Sequence, residues 1–312
     1  MSTSLTRAGD GAPFETIDVP GAPNTGATPS SRRGLVLRRF RRNKSAVLGL
    51  CLLVFLFVAA FAGPALTKWD YAKHDYRAFL SAPSGDHWFG TTQGGQDVYA
   101  LVLHGAQKSL VIGLLVALMS TTAAAVVGSC AGYFGGYADT ALSWFINLML
   151  VVPSLLVLAI MSPWFKGSSW LLFAVLLAAF NWMVTAKVVR GYSQTIKHRD
   201  FVRAARYMGV GAPRIIIRHI LPNVASLLII DATINVGLAI ISESALSFLG
   251  FGIQPPDVSL GTVISAGKNS AVEHPWLFVF PAGFLLLICL AVNFIGDGLR
   301  DAMDPTSKGG SA

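Results

Sequence analysis

The chain has 312 residues, of which 53% are hydrophobic and 13% are charged, and its formal net charge is +8. Soluble domains carry about 25% charged residues, so this composition excludes an ordinary soluble protein and predicts a chain that lies largely in lipid. The three cysteines, Cys51, Cys130 and Cys289, stand singly inside apolar runs without metal-ligand spacing, which predicts small buried side chains and no disulfide framework.

Two polar segments precede the first apolar run. Residues 1–34 are rich in Gly, Pro, Ser and Thr and predict a disordered cytosolic tail. Residues 35–44 form a basic juxtamembrane segment in which apolar residues alternate with arginines. This pattern fits two compatible roles, an amphipathic helix on an anionic membrane surface and a simple orientation signal.

Six apolar runs follow, and each is long enough to cross a bilayer core of about 30 Å. They cover residues 45–67, 109–133, 140–163, 168–186, 223–248 and 275–296. The first begins too far into the chain, and is too long, for a cleaved signal peptide, so we expect an uncleaved anchor. Residues 68–108 are then predicted to be an extracytoplasmic loop, residues 109–305 a five-helix core, and residues 306–312 a cytosolic tail.

Lysine and arginine are distributed unevenly between the two sides of these runs. With the N-terminus inside, the inside segments hold 18 of the 24 basic residues and the outside segments hold 6. The positive-inside rule therefore predicts that both termini are cytosolic. The basic charge then belongs to cytosolic segments, which removes the argument for nucleic-acid binding.

Only one inside loop between spans is large, and it covers residues 187–222. Asp200 is a suitable N-cap for a first short helix, and Gly209 is suited to end it in a left-handed conformation. Pro213 fits the first turn of a second helix, which Pro222 is expected to end or kink. The pattern predicts two helices that meet at a corner, as a docking structure for another protein or as an amphipathic connector on the membrane.

The same loop resembles the cytosolic signature of binding-protein-dependent ABC importer permeases: Glu-Ala-Ala, three residues, Gly, then nine residues before Ile-x-Leu-Pro. Ala204, Ala205, Gly209, Leu221 and Pro222 match at that spacing, whereas Arg203 replaces the Glu and His219 replaces the Ile. The resemblance implies that the loop docks on an ATPase. It makes Ala204, Ala205, Gly209 and Gly211 contact or corner residues, and Arg203 and Arg206 exposed partners of ATPase charge.

Four further stretches narrow the resemblance to the oligopeptide, dipeptide and nickel branch, and there to the C-type permeases of actinobacteria. They are Arg38 to Leu50, Gly90-Thr91 with Gly95 and Asp97, Ser247 to Gly252 with Gln254-Pro255-Pro256, and Asp297 to Asp301 with Asp304-Pro305. Gln96 stands where this branch has Arg. The matches extend from residue 38 to residue 305, which is nearly the whole chain except the tail.

The resemblance implies an all-α type I ABC importer permease fold with six transmembrane helices, in the bacterial plasma membrane. It implies a homologous B-type permease as partner, two cytosolic ATPase subunits or one fused ATPase, and an extracytoplasmic binding protein that delivers peptides. ATP and Mg would be bound by the ATPase chains. This chain would hold no cofactor or metal and would be no enzyme itself.

Two acidic residues lie inside the fifth apolar run, where a buried acid is costly and usually functional. Asp231 is expected either to line the pathway or contact the sister subunit, or to brace neighbouring helices, and the sequence favours neither. Glu243, nearer the outer end, is a second candidate for a pathway or subunit contact, although interfacial water is its expected partner. The aromatic residues of the 68–108 loop predict either an interfacial belt or contacts to the binding protein.

The sequence offers weaker support for other functions. Gly261 to Asn269 is a false P-loop, since it has one residue too many between the glycines and no Ser or Thr after Lys268. An importer that carries nickel or another small solute remains an alternative. A stand-alone secondary transporter has no need of the corner loop, and six scattered histidines offer no catalytic cluster for a membrane enzyme.

Overall fold

The computed structural model describes residues 32–165 and 170–303, and the regular secondary structure of this part of the chain is helical apart from two isolated β-bridges. The helices are α1 (Arg32–Arg42), α2 (Lys44–Ala62), α3 (Val98–Phe134), α4 (Gly136–Val151), α5 (Ser154–Met161), α6 (Trp170–Ala179), α7 (Met183–Lys197), α8 (Asp200–Tyr207), α9 (Ala212–Ile215), α10 (Leu221–Phe248), α11 (Leu260–Gly267) and α12 (Trp276–Met303). Of the predicted terminal tails, residues 1–31 and 306–312 lie outside the described residues.

Four of the described helical segments are long and apolar enough to cross a membrane: Lys44–Leu66, Val98–Phe134, Ala212–Phe248 and Trp276–Met303. Two bent pairs raise the number to six if each pair is one span. They are Gly136–Val151 with Ser154–Trp164, bent by 70°, and Trp170–Ala179 with Met183–Lys197, bent by 45°. The observed fold is therefore all-α with four to six candidate spans.

The bend in the first pair has an identifiable cause. Val152 is extended, at φ −69° and ψ 122°, and Pro153 follows it at the start of α5. A residue before proline is pushed out of the helical region, and proline donates no backbone hydrogen bond. The predicted 140–163 run is thus two helices with a break at Val152-Pro153.

The prediction that Pro222 ends or kinks a helix is wrong in its first alternative, because the helix continues past Pro222. The segment from Ala212 to Phe248 passes the length test as one helix, and Pro222 is the second residue of α10. A π-turn at Ile216–Ile220 precedes it, in which the Leu221 N–H donates to the Ile216 carbonyl five residues back. The wider turn changes the backbone pairing just where proline would otherwise clash with the preceding turn.

The loop predicted for residues 68–108 is shorter than expected, because α3 begins at Val98. Asp97 caps this helix: its Oδ1 accepts a hydrogen bond of 2.8 Å from the Ala100 N–H. Its Oδ2 lies 2.8 Å from Nδ1 of the buried His87, whose Nε2 lies 3.5 Å from Asp75. The loop is therefore built around its own buried polar centre.

Its aromatic residues mostly pack within the loop and against α3. The Trp69 ring stacks on His87 at 4.6 Å, and Tyr71 stacks on His104 at 3.8 Å between centroids. Tyr76, at 76% exposure, is open to a membrane surface or to a partner.

The helices pack closely through small residues, as membrane helices commonly do. A Cβ added to Gly298 of α12 would lie 2.1 Å from Cβ of Ala46 in α2. A Cβ on Gly132 of α3 would lie 2.6 Å from the Arg190 carbonyl oxygen in α7, and one on Gly113 would lie 2.5 Å from Ile240 in α10. Helix α3 therefore stands in the centre and contacts both α7 and α10.

The helix ends define two ends of the molecule. Asn43 Nδ2 donates to Asp301 at 3.0 Å, and Gly135 lies beside the Lys197 ammonium; this end, with residues 198–211, is called the corner end. The opposite end holds residues 63–97 and 249–276 and is called the far end. Helices α1 and α2, separated by the N-cap Asn43, lead from the corner end into the bundle.

We expect Gly132→Val to destabilise the fold, because no Cβ fits between α3 and the α7 backbone. Overpacking of this kind costs about 1–3 kcal/mol. The matched control is Gly283→Val in α12, where an added Cβ has no neighbour within 4 Å. Thermal unfolding in detergent should show a lower Tm for Gly132→Val only. Equal Tm values for the two variants would contradict the packing described.

Candidate functional site

The corner is formed by α8, the left-handed Gly209 and α9. Gly209 has φ +79°, the Gly209 N–H donates to the Arg206 carbonyl at 3.0 Å, and the Val210 N–H donates to the Ala205 carbonyl at 3.1 Å. This is the Schellman pattern, in which a left-handed residue closes a helix and satisfies its last carbonyls. The predicted left-handed Gly209 is confirmed.

The helix start differs by one residue from the prediction. Arg199 is the N-cap of α8, without a side-chain cap bond, and Asp200 is the first helical residue. A carboxylate in the first turn still interacts favourably with the helix dipole. On the other side of the corner Gly211 is the N-cap of α9, and Pro213 lies in its first turn as predicted. Residues 187–197 of the predicted loop continue α7.

One face of α8 packs inward. Val202 and Ala205 are 2% and 3% exposed, and Val202 lies in a cluster with Ile215, Ile220 and Val224. The expectation that both alanines are open to a partner is therefore wrong for Ala205, because it faces the chain's own core. Ala204 is exposed. Its small side chain lies on the outer face of the same helix.

The outer face of the corner combines positive charge with exposed apolar side chains. The arginines Arg203, Arg206, Arg214 and Arg218 are all exposed, and none of them is in an ion pair with a described residue. Tyr207 and Met208, immediately before the turn, are 83% and 76% exposed. Sequence reasoning missed these two, although their position before Gly209 was a usable signal.

The remaining predicted residues lie where the corner joins α10. His219 is half-buried in the π-turn, and its carbonyl accepts a hydrogen bond of 2.6 Å from Asn223 Nδ2. Leu221 is half-buried and Pro222 is exposed. A surface groove beside them is lined by Gly211, Pro213, Arg214, Ile217, Arg218 and Pro222. The corner thus continues directly into the long helix that begins at Ala212.

A polar cluster that sequence reasoning missed ties α4 to α7 at the corner end. The Arg190 guanidinium donates to both carboxylate oxygens of Asp139, through Nη2 at 2.7 Å and through Nε. Gln194 Nε2 adds a bond of 3.1 Å to Asp139. This bidentate geometry fixes the angle between two helices that no local pattern relates.

Asp231 lies halfway along α10 and is half-buried. Its Oδ2 accepts bonds of 2.8 Å from Thr185 Oγ1 in α7 and from Asn235 Nδ2 in α10. The carboxylate therefore braces α7 against α10. No ion pair to Asp231 is formed by any side chain in the described part of the chain.

Glu243 does not reach interfacial water, so that expectation is wrong. Its side chain has no exposed surface, and it lies among hydroxyl groups from α3, α10 and the residues before α11. The apolar pattern of the fifth run gave no sign of this, because the serines come from three separate segments. Within residues 32–165 and 170–303 no cluster suited to a metal ion occurs.

Comparison with protein families matches two parts of the chain. Residues 124–308 match the binding-protein-dependent transport system inner membrane component family. Residues 31–83 match the N-terminal transmembrane domain of oligopeptide transport permease C. Together the two matches cover the corner, the long helix and the anchor helix α2.

Curated relatives are similar over most of their length. The oligopeptide transport system permease protein OppC of Mycobacterium tuberculosis is 53% identical over 280 residues, which is 89% of this chain and 96% of that protein. The protein of the same name from Mycobacterium bovis has the same identity and coverage. OppC of Haemophilus influenzae is 37% identical over 273 residues, covering 87% of this chain and 88% of that protein.

We expect Gly209→Ala to loosen the corner. An alanine in the left-handed region costs about 1–2 kcal/mol, although no neighbouring atom would clash with its Cβ. Trypsin should then cleave at the corner arginines about 5–30 times faster, as that free energy implies. The control is Gly191→Ala in α7, where an added Cβ also has no neighbour. Similar cleavage rates in both variants would show that the turn does not depend on glycine.

Proposed function

The chain belongs to the binding-protein-dependent transport system inner membrane component family, and we propose that it is a permease subunit of an ATP-driven importer of peptides. The proposal takes the cargo from the relatives, which are named oligopeptide permeases. The chain itself is non-catalytic, and the energy comes from ATPase partners. It is an integral membrane protein, and the proposed location is the bacterial plasma membrane.

The observation that carries the proposal is the outer face of the corner. Exposed Tyr207 and Met208 lie next to arginines that form no ion pair with a described residue, at a turn closed by two backbone hydrogen bonds. The helix beneath is anchored by buried Val202. An amphipathic connector lying on lipid would not need a fixed turn or an exposed alanine between two arginines. This surface fits a protein partner with an apolar groove and acidic rim, which we assign to the ATPase.

The full assembly follows from this assignment. Six spans, with each bent pair counted as one, place the N- and C-termini on the same side as the corner. That side is cytosolic, in agreement with the excess of basic residues there. The far end then faces the binding protein, and a homologous permease completes the pathway. ATP and Mg are held by the ATPase chains and not by this subunit.

We expect Ala204→Arg to abolish ATPase docking while the permease itself stays folded, because Ala204 is exposed at the centre of the outer face. Affinity purification of the tagged chain should recover the ATPase and the sister permease with wild type, and only the sister permease with the variant. The control is Ala138→Arg, an exposed alanine in α4 at the same end. ATPase recovery that is equal in both variants would remove the corner as the docking site.

The complex recovered in this way also tests the cargo. Reconstituted with its binding protein, it should take up a labelled short peptide when ATP is supplied. Uptake of radioactive nickel without peptide uptake would assign the chain to the small-solute alternative. Isolation of the chain without any ATPase in mild detergents would instead favour a stand-alone transporter.

The proposed orientation has its own test. Single cysteines at Tyr207, which is 83% exposed at the corner end, and at Val272, which is 96% exposed at the far end, are accessible probes. In intact cells a membrane-impermeant maleimide should label position 272 and leave position 207 unlabelled until the membrane is permeabilised. Cys51, Cys130 and Cys289 are replaced by alanine beforehand. Labelling of position 207 in intact cells would reverse the orientation.

A further inference from the structure

One unbroken helical segment connects the two ends of the molecule. It runs from Ala212 to Phe248, which is 37 residues, or about 55 Å at 1.5 Å per residue. Its first turns belong to the corner, because Ile215 and Ile220 lie in the same apolar cluster as Val202 of α8. Its last turns lie at the far end, where Glu243 is located. We call this segment the rod.

Glu243 is held by hydroxyl groups from α3 and from its own helix. Its Oε1 accepts a bond of 2.8 Å from Ser247, and its Oε2 accepts bonds of 3.0 Å from Ser109 and 3.3 Å from Ser244. Ser259, the N-cap of α11, lies close to the same carboxyl group. These five residues are called the clasp. They join α3, the rod and α11.

The serines of the clasp also hold the backbone around them. Ser109 Oγ accepts a bond of 3.2 Å from the Leu260 N–H at the start of α11. Ser247 Oγ accepts a bond of 3.1 Å from the Ile253 N–H, which closes the turn after the rod. Each of these hydroxyls therefore donates to Glu243 and accepts from a backbone amide. Displacement of the rod would pull on both α3 and α11.

Glycines beside the clasp allow the three backbones to approach one another closely. A Cβ on Gly105 in α3 would lie 2.9 Å from the Ser259 carbonyl carbon. A Cβ on Gly261 in α11 would lie 2.6 Å from Cα of Ser244 in the rod. Three backbones thus approach one another within van der Waals contact around one carboxyl group, and the block they form is stiff.

The position of Glu243 argues against a direct role with cargo. Its side chain is 0% exposed, and it forms no ion pair with any described residue. A fully buried carboxyl group is costly to keep in a membrane protein. Apolar packing alone would hold these helices without that cost. The distinctive property of the clasp is that it gives the contact one defined geometry.

We infer that Glu243 is a positioning residue: the clasp fixes the far end of the rod to α3 and α11, so that a displacement of the docking corner reaches the far end. The inference rests on the proposed function, since the displacement comes from ATPase partners. A cavity of about 520 Å³ lies beside α11 and is lined by Gln96, Asp257, Thr262 and Ala266, among others. Movement of α11 would change the shape of this cavity.

The test uses the reconstituted importer complex and two buried serines of the same helix. Ser109→Ala removes the bonds from α3 to Glu243 and to Leu260. Ser129→Ala is the matched control, because Ser129 is fully buried in α3 and its hydroxyl has no partner among the described residues. We expect the amount of peptide imported per ATP hydrolysed to fall about fivefold or more in Ser109→Ala. About fivefold is the factor that corresponds to the net free energy of a single hydrogen bond. Ser129→Ala should match wild type.

A second readout does not depend on the cargo. A spin label at Ala266, an exposed residue of α11, is placed in a background without the three native cysteines. In the wild type the accessibility of the label to a water-soluble relaxation agent should change when ATP and vanadate are added. Glu243→Met, which keeps the volume and removes the acceptors, should reduce this change more than Ser109→Ala does. If the Glu243→Met complex fails to assemble, the accessibility change at position 266 in Ser109→Ala tests the inference alone.

Two results would overturn the inference: an unaltered import-to-hydrolysis ratio in Ser109→Ala together with a normal response at position 266, or no ATP response at position 266 in wild type. A complex that hydrolyses ATP and responds at position 266 but imports no peptide would remove the proposed cargo. In that case the inference about the clasp is supported if Ser109→Ala weakens the response at position 266, and it is overturned if Ser109→Ala does not.

Discussion

The rest of the structure depends on the continuity of the helix from Ala212 to Phe248. It is continuous because the π-turn at Ile216–Ile220 lets Pro222 enter a helix that proline would otherwise end. If the chain broke there, the corner would be a separate pair of short helices attached by a hinge. Since it does not break, the corner, the middle of the bundle and the far end share one backbone element.

Three buried or half-buried acids anchor this arrangement at different depths. Asp139 binds Arg190 at the corner end, Asp231 binds Thr185 in the middle, and Glu243 binds Ser109 at the far end. Each contact joins two different helices. In lipid the polar groups must be satisfied inside the protein, and apolar contacts between helices are weakly directional. The acids therefore supply orientation, whereas the small residues supply close contact.

The sequence predicted the features that depend on local chemistry. The apolar runs, the left-handed Gly209 and the start of α9 at Pro213 were predictable because length, backbone freedom and proline geometry act within a few residues. The inward position of Ala205, the surroundings of Glu243 and the pairing of Asp139 with Arg190 were not. The Asp139–Arg190 pair joins residues 51 apart and the Ser109–Glu243 bond joins residues 134 apart, while the position of Ala205 depends on which side of a helix meets the core. A run without clear periodicity carries no such information.

The central claim is that the rod moves as one body, and the distance between its two ends tests it most directly. Spin labels at Ala212, the half-buried first residue of the rod, and at Ala266, on α11, report that distance in the assembled complex by double electron–electron resonance. Adding ATP and vanadate should leave the distance unchanged, while the distance from Ala266 to a label on the sister permease changes. A shift between positions 212 and 266 comparable to one helical turn, about 5 Å, would show that the helix bends at the π-turn and would contradict the account.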